Sequence, residues 1–200
     1  MLQRRDFLRG SVLGSVGLVA GDLDAVQSVR NVRTLVVDLC VVGGSATGVF
    51  AAVRAAEAGL RVALVENNAL FGGTATAGFV PVWHSMCSTK GERIVGGLTA
   101  KVVDRMIVRG EAVTHKTNKD PCWWTTSLNV AALSVALDEL VAEQPGIVPM
   151  LSTRFVAAET DRSGHVTRVF VEDKDGRKSI EAKFFIDATG DADLLARAGF

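Results

Sequence analysis

"VVGGSATG", Val41 to Gly48, is the stretch on which the fold turns. An apolar run stops at two adjacent glycines, and Ser45 stands where a G-x-G-x-x-G pattern has its middle glycine. So bare a turn suits an anion held at a helix start, or a plain strand-to-helix connection. Upstream, "TLVVDLCVV" (34–42) is β-branched and almost continuously apolar, as expected of a strand buried on both sheet faces. Downstream, "ATGVFAAVRAAEAG" is alanine-rich and predicts a helix ending at Gly59. "LRVALVE" then predicts a second buried strand closing at Glu66. Strand, glycine turn, helix and strand within about 30 residues make a βαβ unit with a right-handed crossover.

Beyond it, 67–127 reads as irregular apart from a helix near Leu98–Val108. "NVAALSVALDELVAEQ" has apolar residues at helical spacing, and "GIVPML" predicts a third sheet strand. Three further strands, "RFVAAET", "VTRVFVED" and "SIEAKFFIDA", are separated by "DRSGH" and "KDGRK", each pairing Gly with Asp as hairpin turns require. The last run alternates at first and is then fully apolar, which suits a strand leaving a meander for a buried sheet. The fold class is therefore α/β: a Rossmann-like parallel sheet with a three-stranded antiparallel β-meander.

A phosphate at a helix start is held by free backbone N–H groups and the positive end of the helix dipole. Gly43 makes the turn, Gly44 and Ser45 line it, and Gly48 lets the helix lie close to the sheet. The Ser45 hydroxyl is small enough to be offered to the phosphate, and Thr47 is counted with the binding residues. Glu66, roughly 20 residues past the glycines, can accept both hydroxyls of an adenosine ribose. Solvated punctuation at a strand end is the plainer reading of Glu66.

"FGGTATAG" (Phe71–Gly78) and "IDATGDAD" (Ile186–Asp193), with "VVGGSATGVFAAVRAAEAG", resemble the FAD-dependent oxidoreductase family, within the glutathione-reductase-like flavoproteins. The resemblance covers about Leu39–Gly199. It implies FAD as cofactor and a β-meander as one crossover of the FAD domain, and it assigns roles by position. Gly72, Gly73 and Thr74 would lie beside the pyrophosphate and ribityl chain, and Gly190 would let a second strand end approach the cofactor. Asp191 would bond a ribityl or ribose hydroxyl, and the Phe155 backbone would meet adenine. Simpler readings make Gly72-Gly73 a loop and Asp191 the N-cap of a helix at Ala192–Ala198. Such flavoproteins continue into a substrate domain, so the chain reads as an N-terminal portion or a truncated product.

The balance of 22 Lys+Arg against 22 Asp+Glu argues against a nucleic-acid-binding face. Three widely spaced cysteines, Cys40, Cys87 and Cys122, form no CxxC pair and predict neither a zinc site nor a disulfide framework. At the start, Arg4 and Arg5 precede Phe7, Leu8 and a short apolar run from Ser11 to Gly21, a signal-peptide pattern resembling the twin-arginine type. An amphipathic N-terminal helix is the alternative. The expected organisation is a signal and linker over 1–30 and an FAD-binding domain over 34–200. It implies the twin-arginine export machinery as partner and a periplasmic or extracytoplasmic bacterial location, with membrane tethering if the signal stays uncleaved.

Because flavin carries the electron chemistry itself, few catalytic side chains are required. His84, in "PVWHSMCS", is the candidate to orient a small-molecule substrate or move a proton, with a structural role as the alternative. The function so read is hydride transfer between a small molecule and flavin. Two alternatives stay open: redox-neutral chemistry on a sugar-like substrate assisted by FAD or NAD, and a non-catalytic nucleotide-binding module.

Overall fold

The computed structural model describes residues 32–84, 86–88, 90–117 and 120–200, with backbone alone for 115–117 and 120–124. The export signal expected in residues 1–30 lies outside the described residues.

Strand β1 (Arg33–Val42) leads through the glycine turn into α1 (Ala46–Glu57) and back to β2 (Val62–Val65). Next come β3 (Val82–Trp83), α2 (Gly97–Val108), β4 (Ala112–Thr117), β5 (Asp120–Leu128) and α3 (Val130–Ala142). β6 (Ile147–Met150), β7 (Arg154–Thr160), β8 (Val166–Asp173), β9 (Gly176–Asp187) and the short α4 (Asp193–Ala198) complete the order. One six-stranded sheet runs β6-β2-β1-β9-β8-β7. Its β6, β2, β1 and β9 are parallel neighbours, and β9, β8 and β7 form the antiparallel meander.

The unbroken apolar character of β1 and β2 follows from burial on both faces. Leu39, Val41, Val62 and Leu64 pack with Val49 and Val53 of α1, Leu133 and Leu137 of α3 and Met106 of α2. Their alternates Cys40, Val42, Ala63 and Val65 join Val169, Val171 and Ile180 of the meander and Leu194 of α4. Each such valine or leucine contributes about 1.5–3 kcal/mol when fully buried. Asp38, the one charge in the interior of β1, sits where two successive amides, its own and that of Leu39, donate to the Arg61 carbonyl at 2.9 and 3.2 Å. Its carboxylate accepts the Arg61 amide at 3.0 Å and the Lys183 ammonium at 2.8 Å, so the charge is matched where β2 begins to pair with β1.

Helix α1 ends as a Schellman motif, with the Gly59 amide on the Ala56 carbonyl and the Leu60 amide on the Ala55 carbonyl. Gly59 has φ +87° and lies one residue past the cap Ala58, which explains the glycine expected to stop this helix.

Two expectations change. The stretch 67–127 is not irregular around its helix: β3, β5 and β4 build a separate antiparallel sheet. Polar "HKT" and a proline in "DPCWW" give these strands no alternating apolar signal. β9 does leave the meander for the parallel sheet, pairing with β8 only as far as Glu181 and with β1 to Asp187. Its apolar end is not fully buried, however: Phe184, past the reach of β8, is 66% exposed.

Two outcomes test this packing. Leu137→Ala, in a fully buried position on α3, should lower unfolding free energy by about 2–5 kcal/mol in urea titration. Burial pushes the Cys40 thiol up to about 12, so iodoacetamide at pH 8 should leave Cys40 unmodified in the native chain and alkylate it after denaturation, read by peptide mass spectrometry.

Candidate functional site

The site lies at the carboxyl ends of β1, β2 and β9, where the chain leaves β1 for neighbours on opposite sides. The glycines of the turn are demanded first by the protein's own packing. Gly43 has φ +102°, and a Cβ there would stand 2.3 Å from the Ala188 carbonyl oxygen at the end of β9. A Cβ on Gly48 would meet the Gly43 carbonyl oxygen at 1.9 Å. Gly44, expected to line the turn, is buried, with the Phe71 ring 2.6 Å and the Glu66 Cβ 2.7 Å from where its own Cβ would be.

Ser45 is the N-cap of α1. Its hydroxyl accepts the Gly48 amide at 3.3 Å and donates to the Ala188 carbonyl at 3.2 Å. The hydroxyl expected to face a phosphate is thus engaged within the protein, tying the helix start to β9. The amides of Ser45 and Thr47 have no acceptor among the described residues. They are the donors that a helix start leaves for an anion.

Glu66 is 6% exposed. Its Oε2 accepts the Gly44 amide at 2.7 Å, while Oε1 accepts the Asn68 amide at 2.6 Å and the Asn68 Nδ2 at 2.8 Å. The carboxylate is therefore neither solvated punctuation nor free to take two ribose hydroxyls. Past the ends of β2 and β6 the pairing continues: the Thr153 amide donates to the Glu66 carbonyl at 2.9 Å and the Ser152 amide to the Asn68 carbonyl at 2.8 Å. This ladder places Arg154 and Phe155 beside Glu66.

The 71–78 segment closes over the turn. The Gly72 amide donates to the Gly44 carbonyl at 2.8 Å, and the Thr76 hydroxyl donates to the Phe71 carbonyl at 2.6 Å. Gly72 (φ +113°) packs against Thr76 and Leu137.

Between these elements lies a cavity of about 480 Å³. Of the expected residues, Gly43, Ser45, Glu66, Gly73 and Phe155 line it. Beyond Ser45, a second opening of about 320 Å³ is lined by Thr47 and Gly190. Gly44, Gly48 and Gly72 support these walls from behind, while Thr74, Asp191 and His84 line neither and are exposed. His84 follows β3, whose Trp83 ring packs edge-on to Phe50 of α1 at 6.5 Å. Sequence reasoning missed Asn68, Thr153, Arg154 and Arg197 in the main cavity. Asn68 had a signal, standing two residues past Glu66 on the same turn. Arg197 had none, because α4 reaches the cavity only through the fold. Arg154 and Arg197 make no ion pair among the described residues, so both cations are available to an anionic ligand.

The end of β9 corrects one capping assignment. Asp191 does not cap α4, whose cap position is Ala192 at φ +59°. Instead Asp187 Oδ2 accepts the Leu195 amide at 3.0 Å and the Thr189 hydroxyl accepts the Asp193 amide at 2.9 Å. Asp187 Oδ1 also accepts the Thr189 amide and hydroxyl at 3.1 and 2.7 Å. Burial works against this charge, yet the hydrogen bonds from Thr189, Leu195 and Leu194 outweigh it and hold the carboxyl below the usual range. Such a group contributes stability that is present above its unfolded value and lost as pH falls through the folded one. The wild-type chain should therefore lose stability more steeply than Asp187→Asn below about pH 4 in acid-unfolding curves. Gly48→Ala should lower stability by about 1–3 kcal/mol in urea titration, from overpacking against the Gly43 carbonyl.

Residues 38–200 match the model of the FAD dependent oxidoreductase family. No curated protein matches the chain. Among solved structures it is similar to the p-nitrophenol 4-monooxygenase PnpA of Pseudomonas putida DLL-E4, at 16% identity and TM-score 0.57 over 84% of this chain and 44% of that one. A geranylgeranyl bacteriochlorophyll reductase-like protein of Thermoplasma acidophilum gives 16% identity and TM-score 0.58 over 84% and 43%. Thermovibrio ammonificans THI4 gives 15% and 0.57 over 98% and 69%. At such identities the likeness is one of fold, and the chain spans less than half the length of the first and second of these proteins. With most of its length matched by one family model, the chain belongs to the FAD dependent oxidoreductase family, whose cofactor is FAD.

Proposed function

We propose that this chain is the FAD-binding portion of an exported oxidoreductase that passes a hydride between a small-molecule substrate and flavin. The observation that carries the reading is the pair of amides, Ser45 and Thr47, left without acceptors among the described residues at the start of α1, where Ser45 borders both the cavity that holds Glu66 and the opening lined by Thr47. A pyrophosphate there meets N–H donors and the positive helix end together. Arg154 and Arg197 add positive charge to the same cavity. Glu66 would accept one hydroxyl of the adenosine ribose, and the backbone at Phe155 would lie against adenine. Gly73 and Gly190 would leave room for the chain between pyrophosphate and ring. Asp191, exposed beside Gly190, is free to bond a ribityl hydroxyl.

When bound, FAD supplies a two-electron acceptor that takes hydride at its ring N5. The residues described bind and orient that group, and His84 is the candidate to position substrate or move a proton. Residues 34–200 then form the FAD-binding domain. Arg4 and Arg5, ahead of Phe7 and Leu8, would direct the chain to the twin-arginine machinery and an extracytoplasmic location.

The full chain should purify yellow, with the absorbance bands of FAD, and its substrate should bleach that colour under anaerobic conditions. A folded, colourless preparation that ignores added FAD would sink the reading. Replacing Arg4 and Arg5 together by lysine should leave the protein in the cytoplasmic fraction.

A further inference from the structure

Glu66 has less to give a ligand than its place at a strand end suggests. A carboxylate has about four lone-pair sites, and here three N–H donors face its two oxygens, from Gly44, the Asn68 backbone and the Asn68 side chain. One site remains, whereas the ribose of an adenine nucleotide presents two neighbouring hydroxyls. Asn68 supplies the missing acceptor. The Glu66 carboxylate can only accept, so the Asn68 amide must direct its Nδ2 to Oε1, at 2.8 Å, and turn its Oδ1 away. Among the described residues nothing donates to that oxygen, and Asn68 lines the same cavity as Glu66. Its backbone is held on both sides, the amide on Glu66 Oε1 at 2.6 Å and the carbonyl under the Ser152 amide at 2.8 Å.

We propose that Asn68 and Glu66 read the ribose jointly, the Asn68 Oδ1 accepting one hydroxyl and the Glu66 Oε2 the other. Asn68 is then a cofactor-binding residue in its own right. The inference rests on the reading of this cavity as the FAD site, because it places the adenosine half there.

The test uses the full chain freed of flavin, with ADP, 2′-deoxy-ADP and 3′-deoxy-ADP as probes in calorimetry. The wild-type chain should bind each deoxy nucleotide about five- to tenfold more weakly than ADP, the worth of one hydrogen bond to a preformed acceptor. Asn68→Ala should weaken ADP by a similar factor and abolish one of the two deoxy penalties while the other persists. Asn68→Ala also removes one donor to the buried Glu66 carboxylate, so its melting temperature should fall, and the titrations are run well below it on a chain whose circular dichroism matches the wild type. Unchanged ADP affinity in Asn68→Ala, or both penalties retained or both lost together, overturns the division of labour. Should the wild type bind no ADP, or bind all three nucleotides alike, the failure belongs to the assignment of the cavity and takes this inference with it.

Discussion

The Gly44 amide donates to Glu66 Oε2 across 2.7 Å of buried space, and the geometry of the site descends from that bond. It locks the turn after β1 to the end of β2, so the first amides of α1 stand at a fixed height over the sheet. The same carboxylate holds the Asn68 turn with its second oxygen. A buried carboxyl group is costly unless every neighbour is a donor. Here three N–H groups meet that condition, and Glu66 lines the cavity between these elements.

Close packing supplies the second constraint. The end of β9 comes so near the turn that the Ala188 carbonyl fills the space a Gly43 side chain would need, and the Ser45 hydroxyl bonds that same carbonyl. The glycines and the serine are thus required by contacts within the protein before any ligand arrives. A preformed turn presents its free amides without reorganisation, which favours binding of an anion. The turn's bareness and its readiness for a phosphate therefore have one cause.

Charge follows the same division. Asp187 is consumed in organising its own loop and the start of α4, whereas Arg154 and Arg197 face the cavity without partners among the described residues. The Glu66 and Asp187 carboxylates hold backbone in place, and Arg154 and Arg197 are left without ion pairs among the described residues. Both sheet faces are covered behind this arrangement, by helices on one side and by the meander on the other, so the strand ends that carry it are rigid.

The local signals were legible because each rests on residues near one another in the chain. Apolar runs predicted β1 and β2, an alanine-rich stretch ending in Gly59 predicted α1, helical spacing predicted α3, and Gly with Asp marked the hairpins. The carboxylate of Glu66 was expected from its spacing to the glycines. The polar strands β4 and β5 were not visible, since they lack an apolar alternation. The partners of the site residues were not visible either. The Ser45 hydroxyl meets Ala188 across 143 positions, and Glu66 meets Gly44 across 22. By itself the sequence determined that there is a glycine turn and an acid near it. Only the tertiary structure decided that the serine hydroxyl is tied to Ala188 and one oxygen of the acid to Gly44. The reason is that those partners are backbone groups that only the fold brings within reach, whereas the Asn68 donors stand two residues from the acid.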